Sequence, residues 1–142
     1  MSLTTSGREW TVLVAGEHTG GRFAVIETRE RPGSEPPRHV HSREDEVVYV
    51  LEGRVTYYRD GERLDGPPGT LFYLPRGCEH TFSIETAEAR LLVMVSPAGF
   101  EGCLRELIQP DEAGEERHDI ERLVATAARY GVSITGPSRF PP

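Results

Sequence analysis

The chain contains no lysine, and all 16 of its basic residues are arginine. With no side-chain amine available, Schiff-base chemistry on a lysine is excluded. Cysteine is scarce: Cys78 and Cys103 are too few for a disulfide framework, and no CxxC pair is present. No apolar run approaches the roughly eighteen residues of a membrane-spanning helix, and the opening "MSLTTSGREW" has no apolar signal-peptide core. A cytoplasmic, reducing setting is expected. Basic charge is also outweighed, 16 residues against 23 Asp and Glu for a net charge of −7, which disfavours nucleic acid or an anionic membrane as a partner. Neither a phosphate loop nor a Ser/His/Asp order is present, so nucleophilic catalysis has no support.

What the chain does contain is β-sheet signal. At 142 residues a single domain (1–142) is expected. From Trp10 to Ser96, short segments rich in Val, Ile, Phe and Tyr alternate with Gly, Pro and Asp, which predicts an all-β barrel or sandwich over about 10–96. Strands are expected at 10–15, 22–29, 37–41, 46–53, 54–60, 69–75, 80–85 and 89–96, with tight turns at Gly53 and at Asp60-Gly61. Beyond Pro97 the pattern predicts two helices within about 98–131. The second carries Ile120, Leu123, Val124 and Ala127 at helical spacing and stops at Gly131. The ends "SLTTSG" and 132–142 read as tails, and no internal repeat is visible.

Chemistry gathers in "GSEPPRHVHSREDEVVYVLEG". His39 and His41 stand two residues apart, so on a strand both rings share one face. Three carboxylates follow, Glu44, Asp45 and Glu46. Strand parity puts Glu46, Val48 and Val50 on the inward side, Asp45 on the other, and Glu44 in the turn facing water. Downstream, Pro75 and Gly77 make a sharp turn that delivers His80 to the start of the next strand. Three imidazoles and one carboxylate suit one divalent transition metal (Fe, Mn, Ni, Co, Cu or Zn) with coordination positions left open.

The two stretches, Gly33 through His39, His41 and Glu46 to Gly53, and Gly69 through Pro75, Gly77 and His80, resemble the paired motifs of the cupins. The resemblance covers about 33–84. A weaker likeness to the quercetin-dioxygenase-like bacterial cupins continues through "VSPAGFEGCLREL" and "ATAARYGV". One position departs: Ile84 stands where the family pattern carries Asn, a residue that is not a metal ligand in the family. The resemblance implies a double-stranded β-helix (jelly-roll) barrel with two short C-terminal helices. It also implies a dioxygenase in which Glu46 stays a metal ligand or accepts the substrate proton. Non-oxidative cyclase, isomerase or decarboxylase chemistry, or ligand binding without turnover, are the alternatives, because one fold hosts many functions.

If Val48, Val50, Phe72, Phe82, Ile84 and Met94 face inward, the pocket is apolar and suits a small aromatic or enolic substrate. Tyr57, Tyr58 and Tyr73 read as cross-strand packing, Cys78 as a small turn residue, Arg76 as solvent-facing, and His18 and His118 as exposed or capping. A homodimer is expected, because the strand "WTVLVA" would otherwise present an apolar edge.

Overall fold

The computed structural model describes residues 2–5, 8–108 and 120–138, with side chains from 8 to 107 and 120 to 138. Fourteen elements follow in order. They are β1 (Ser2–Thr5), β2 (Arg8–Val14), α1 (Gly16–Thr19), β3 (Ala24–Glu30), β4 (Arg38–His41), β5 (Asp45–Glu52) and β6 (Val55–Arg59). Then come β7 (Glu62–Gly66), β8 (Leu71–Leu74), β9 (Glu79–Ile84), β10 (Ala89–Ser96), α2 (Phe100–Ile108), α3 (Ile120–Arg129) and β11 (Val132–Gly136). They form a six-stranded sheet ordered β1-β2-β3-β10-β5-β8 and a five-stranded sheet ordered β11-β4-β9-β6-β7, all pairs antiparallel, as a jelly-roll barrel requires.

Alternation makes the barrel. Leu91, Val93 and Val95 of β10 are buried between Thr28, Ile26 and Ala24 of β3 and Val50, Val48 and Glu46 of β5. Val55, Tyr57, Phe82 and Ile84 of the facing sheet close the core over them. The intervening residues Leu92 and Met94 point outward, as a two-residue period demands. Ile84, at the position that departs from the motif, is part of this core and pairs with Val55.

Glycine is required where the chain turns under a neighbour. Gly53 has φ +81°, and a Cβ there would lie 2.4 Å from Glu88 O and 2.8 Å from Ala89 Cα. Gly77, at φ +86°, donates its N–H to His41 O at 2.8 Å and so ties the two motif-bearing segments together. Asp60-Gly61 turns β6 into β7, with both residues at positive φ.

Several sequence expectations are corrected here. Ser2–Thr5 is β1, paired with β2, so "WTVLVA" is an interior strand and not an edge. Val132–Gly136 is β11, paired with β4 beside both histidines: Val132 stands opposite His41 and Ile134 opposite His39. β7 is an unexpected strand. Its polar sequence ERLDG lacks strand signal, and its hairpin partner β6 recruits it to the sheet edge. On α3, Leu123 and Ala127 turn to the barrel, whereas Ile120 and Val124 stay exposed, since only one helical stripe meets the sheet. His18 caps: its Nδ1 accepts from Ala15 N at 3.1 Å. His118 lies outside the described residues.

Candidate metal centre

β4 carries His39 and His41 on one face, and β9 sets His80 directly opposite His39. From the other sheet β5 points Glu46 across the barrel. Ligand atoms of the three histidines lie within 4.8 Å of one another. Glu46 Oε2 is 3.3 Å from His80 Nε2 and 3.6 Å from His41 Nε2. His41, Glu46 and His80 are buried, and His39 is partly exposed.

Each ring is oriented through its other nitrogen. His39 Nδ1 faces Pro37 O at 2.7 Å, His80 Nδ1 faces Cys78 O at 3.4 Å, and His41 Nδ1 is bonded to Glu44 Oε1. With Nδ1 engaged as the protonated nitrogen, the Nε2 lone pair of each ring is left for the site. Burial, then the neighbouring His80 and His41, pushes His39 down to about 3. Burial works against the Glu46 carboxylate, but the His80, His41 and His39 rings outweigh it and hold Glu46 down at about 2. A neutral imidazole beside an ionised carboxylate is the donor state a metal needs.

The decisive test of fit is an orphan pair. His41 Nε2 and Glu46 Oε2 are buried with no hydrogen-bond partner. Buried polar atoms are nearly always satisfied, so two left unsatisfied among the described residues and only 3.6 Å apart mark a ligand position. The donor set and its second layer of hydrogen bonds fit a divalent transition metal.

A family profile described as a cupin domain matches residues 27–95, the span that holds all four of these residues. Residues 27–95 form a cupin domain. Among curated proteins it is 26% identical over 110 residues to quercetin 2,3-dioxygenase of Bacillus subtilis, covering 78% of this chain. It spans only a third of that relative's length (33%). Among solved structures it is similar to KdgF from Halomonas sp. (TM-score 0.64, 17% identity, 72% of this chain and 90% of that one). It is also similar to a cupin-superfamily sugar phosphate isomerase from Silicibacter pomeroyi (TM-score 0.55, 33% identity, 63% and 59%), and to a predicted oxalate decarboxylase from Thermotoga maritima (TM-score 0.60, 20% identity, 63% and 80%).

The cupin's histidine cluster opens on a cavity of about 110 Å³. Of the six expected lining residues, only Phe82 is on its wall. Val48, Val50, Phe72 and Ile84 do face inward but are consumed by the packed core, Phe72 filling the space over Gly66. Met94 faces the opposite way and is 40% exposed, because the pairing of Val95 with Glu46 gives the inward phase to Leu91, Val93 and Val95. The wall is instead built by Trp10, Ile26, Leu91 and Val93, with Phe100 and Leu104 of α2 as a cap. Phe100 stands edge-on to His41 at 4.7 Å. The alternation of Trp10 and Val12 was a usable signal for the first of these; nothing local in the sequence tells which end of the barrel α2 covers.

Glu44 is the second correction. Placed by sequence in the turn facing water, it is 2% exposed and bonded to His41. Asp45 does lie toward solvent, where Arg76 grips it from N (3.0 Å) and Nη2 (3.1 Å), so Arg76 ties the turn after β8 to the start of β5 instead of only facing water. Cys78 is buried with its Sγ 3.7 Å from His80 Nδ1. Tyr57 is buried on the cavity wall, whereas Tyr73 is exposed.

Proposed function

We propose that His39, His41, Glu46 and His80 hold one divalent transition metal, and that this cupin is a dioxygenase acting on a small aromatic or enolic molecule. The orphaned His41 Nε2 and Glu46 Oε2 carry the metal assignment. The apolar, aromatic wall and the likeness to the Bacillus subtilis quercetin 2,3-dioxygenase support the substrate class and the reaction.

When bound, the metal supplies an electrophilic centre that polarises the substrate oxygen and brings it together with dioxygen. The chain does the rest. Glu46, beside the His80 and His41 rings, would offer the carboxylate oxygen not given to the metal to the phenol or enol proton. Glu44 and the Pro37 and Cys78 carbonyls hold the rings so that Nε2 points inward. Phe100 and Leu104 keep water away from the face where the substrate lies. The absence among the described residues of a helix long and apolar enough to cross a membrane, together with two free buried cysteines, supports a cytoplasmic setting for this reading.

Metal analysis of anaerobically prepared protein, paired with oxygen uptake on flavonols and simpler enols, tests it. One metal per chain and substrate-dependent oxygen consumption are expected. His80→Ala should lose the metal yet keep a cooperative unfolding transition, because the barrel has its own apolar core. A metal-free parent after loading with each candidate ion would end this reading. The likeness to a sugar phosphate isomerase at 33% identity favours one second reading, the same metal used as a Lewis acid without oxygen. Metal-dependent turnover with no oxygen consumed would select it.

A further inference from the structure

The cavity has a second polar end. Arg8, Thr28 and Glu30 line it together with the histidines, on strands β2 and β3 of the six-stranded sheet. Arg8 is locked in place: its Nε donates to both Glu30 oxygens, at 2.6 and 2.8 Å, and its guanidinium lies over the Trp10 ring at 4.6 Å. That leaves Nη1 and Nη2, the two-pronged end of the fork, without a hydrogen bond to the described residues. In the same cavity Thr28 is 5% exposed, and its Oγ1 is buried with no hydrogen-bond partner among the described residues. A fixed donor fork in the same cavity as an unsatisfied buried hydroxyl is a binding arrangement, since the Thr28 Oγ1 left unpaired costs free energy that a ligand oxygen would recover.

Register gives the distance between the two ends. Glu46 stands opposite Val95 of β10 and Thr28 opposite Leu91, four residues along the same strand. At ~3.3 Å per residue along β10 and ~4.8 Å to each strand flanking it, the two Cα positions are about 16 Å apart, and the inward-pointing side chains at both ends leave room for two linked rings with an oxygen at each end. Ile26, Val93 and Phe82 are the apolar wall between. Tyr57 also lies there; burial first, and then the carboxylates of Glu46 and Glu30, raise its phenol, which puts it in electrostatic reach of both ends.

We propose that Arg8 and Thr28 form a distal recognition point that receives an uncharged oxygen, a phenol hydroxyl or ketone, on a flat two-ring substrate whose other end faces the histidines. This rests on the metal-site reading above. Charge decides against a carboxylate: the Arg8 cation is already matched by Glu30, whose side chain is fully buried, so a second anion would meet like charge in a medium of low dielectric. A neutral oxygen accepts from Nη1 or Nη2 and exchanges a hydrogen bond with Thr28 Oγ1 at no such cost.

Zinc-loaded protein, in which no oxidation obscures binding, should be titrated calorimetrically with three probes. These are 3,4-dihydroxybiphenyl and its 4′-hydroxy and 4′-carboxylate derivatives, which share a catechol head and differ only in the distal group. The 4′-hydroxy compound should bind about fivefold or more tighter than the parent, as one or two added hydrogen bonds provide, and the carboxylate more weakly than the parent. Within Arg8→Met and within Thr28→Val the ratio of hydroxy to parent affinity should fall to about one. Arg8→Met leaves Glu30 unpaired; if that variant does not fold, Arg8→Met/Glu30→Met and the near-isosteric Thr28→Val decide. Equal binding of hydroxy and parent compounds to the unmodified protein overturns the proposal, as does an undiminished ratio in the variants, and a tightest-binding carboxylate overturns its claim of neutrality. Failure of the metal-site reading looks different: the catechol would then bind equally with zinc and after EDTA treatment, whatever its distal group.

Discussion

Two carboxylates two residues apart have separate tasks. Glu46 faces the His41 and His80 rings, and Glu44 lies behind His41. Glu46→Gln keeps an oxygen donor but removes the proton acceptor, so much of the metal should remain while turnover falls on the order of a hundred- to ten-thousand-fold. Glu44→Gln should act first on the metal, lowering its affinity by about ten- to a hundredfold, because the ring behind which it sits becomes a weaker and less well oriented ligand. Metal titration and steady-state rates on the same preparations separate the two. Parental turnover in Glu46→Gln would remove it from the chemistry. Asp45 belongs to neither task. Hydrogen bonds from the Arg76 side chain, then its backbone N–H, lower the Asp45 pKa below its usual 3.8. A carboxylate with a depressed folded pKa contributes stability that is present above the unfolded value and lost as pH falls through the folded one. Asp45→Asn should therefore lower the melting temperature slightly at pH 7, and the gap should close as the pH is taken down past the usual 3.8. A gap that persists in acid would mean the contact acts through packing.

At the scale of elements, turns hold the strands in register. Gly53 ends β5 under the β9–β10 turn, where an added Cβ meets backbone at 2.4 Å, and backbone cannot step aside as a flexible side chain can. Gly33 has a similar φ of +95° but nothing within 4 Å. Gly53→Ala should thus destabilise the barrel by more than the about 1–3 kcal/mol that an unfavourable φ costs by itself, and Gly33→Ala by no more than that. Denaturant unfolding of the pair checks the order; equal losses would show that the crowding at Gly53 is relieved. α2 and α3 were legible as elements, α3 from its apolar stripe and its stop at Gly131 (φ +75°), whereas the four-residue α1 was not. β7 and β11 were not, since an edge strand owes its conformation to the partner it pairs with and needs little strand propensity of its own.

For the whole molecule, the ground for expecting a dimer moves from an edge to a face. β1 covers the edge of β2, but the outer side of the six-stranded sheet exposes Met94 and Tyr73 in one row, flanking Val47, and Tyr49 beside Leu71 in the next. Leu71 is 61% exposed and Tyr73 53%. Contiguous exposed apolar patches on other proteins often mark association surfaces, and on that ground we propose that two copies pair through this one. Sedimentation at micromolar concentration should give twice the 15.8 kDa chain mass, and Leu71→Asp/Tyr73→Asp should return it to one. A monomeric parent would refute the expectation.

The sequence by itself determined the β-rich class, the turns, and the gathering of His39, His41, Glu46 and His80 at one place in the barrel. Those are set by short-range rules: a two-residue period places His39 with His41 and Glu46 with Val48, and a Pro-Gly turn delivers His80. Tertiary structure decided everything that depends on register between distant strands. Pairing Val95 with Glu46 sent Met94 outward and Val93 inward, and the return of 132–136 onto β4 made a supposed tail the neighbour of the site. The same holds for Glu44, whose direction is set by a turn closing on His41, and for Arg8, Thr28 and Glu30, which become one cluster only when β2 and β3 lie side by side. Side-chain parity is local, but which parity faces the cavity is a property of the assembled sheet.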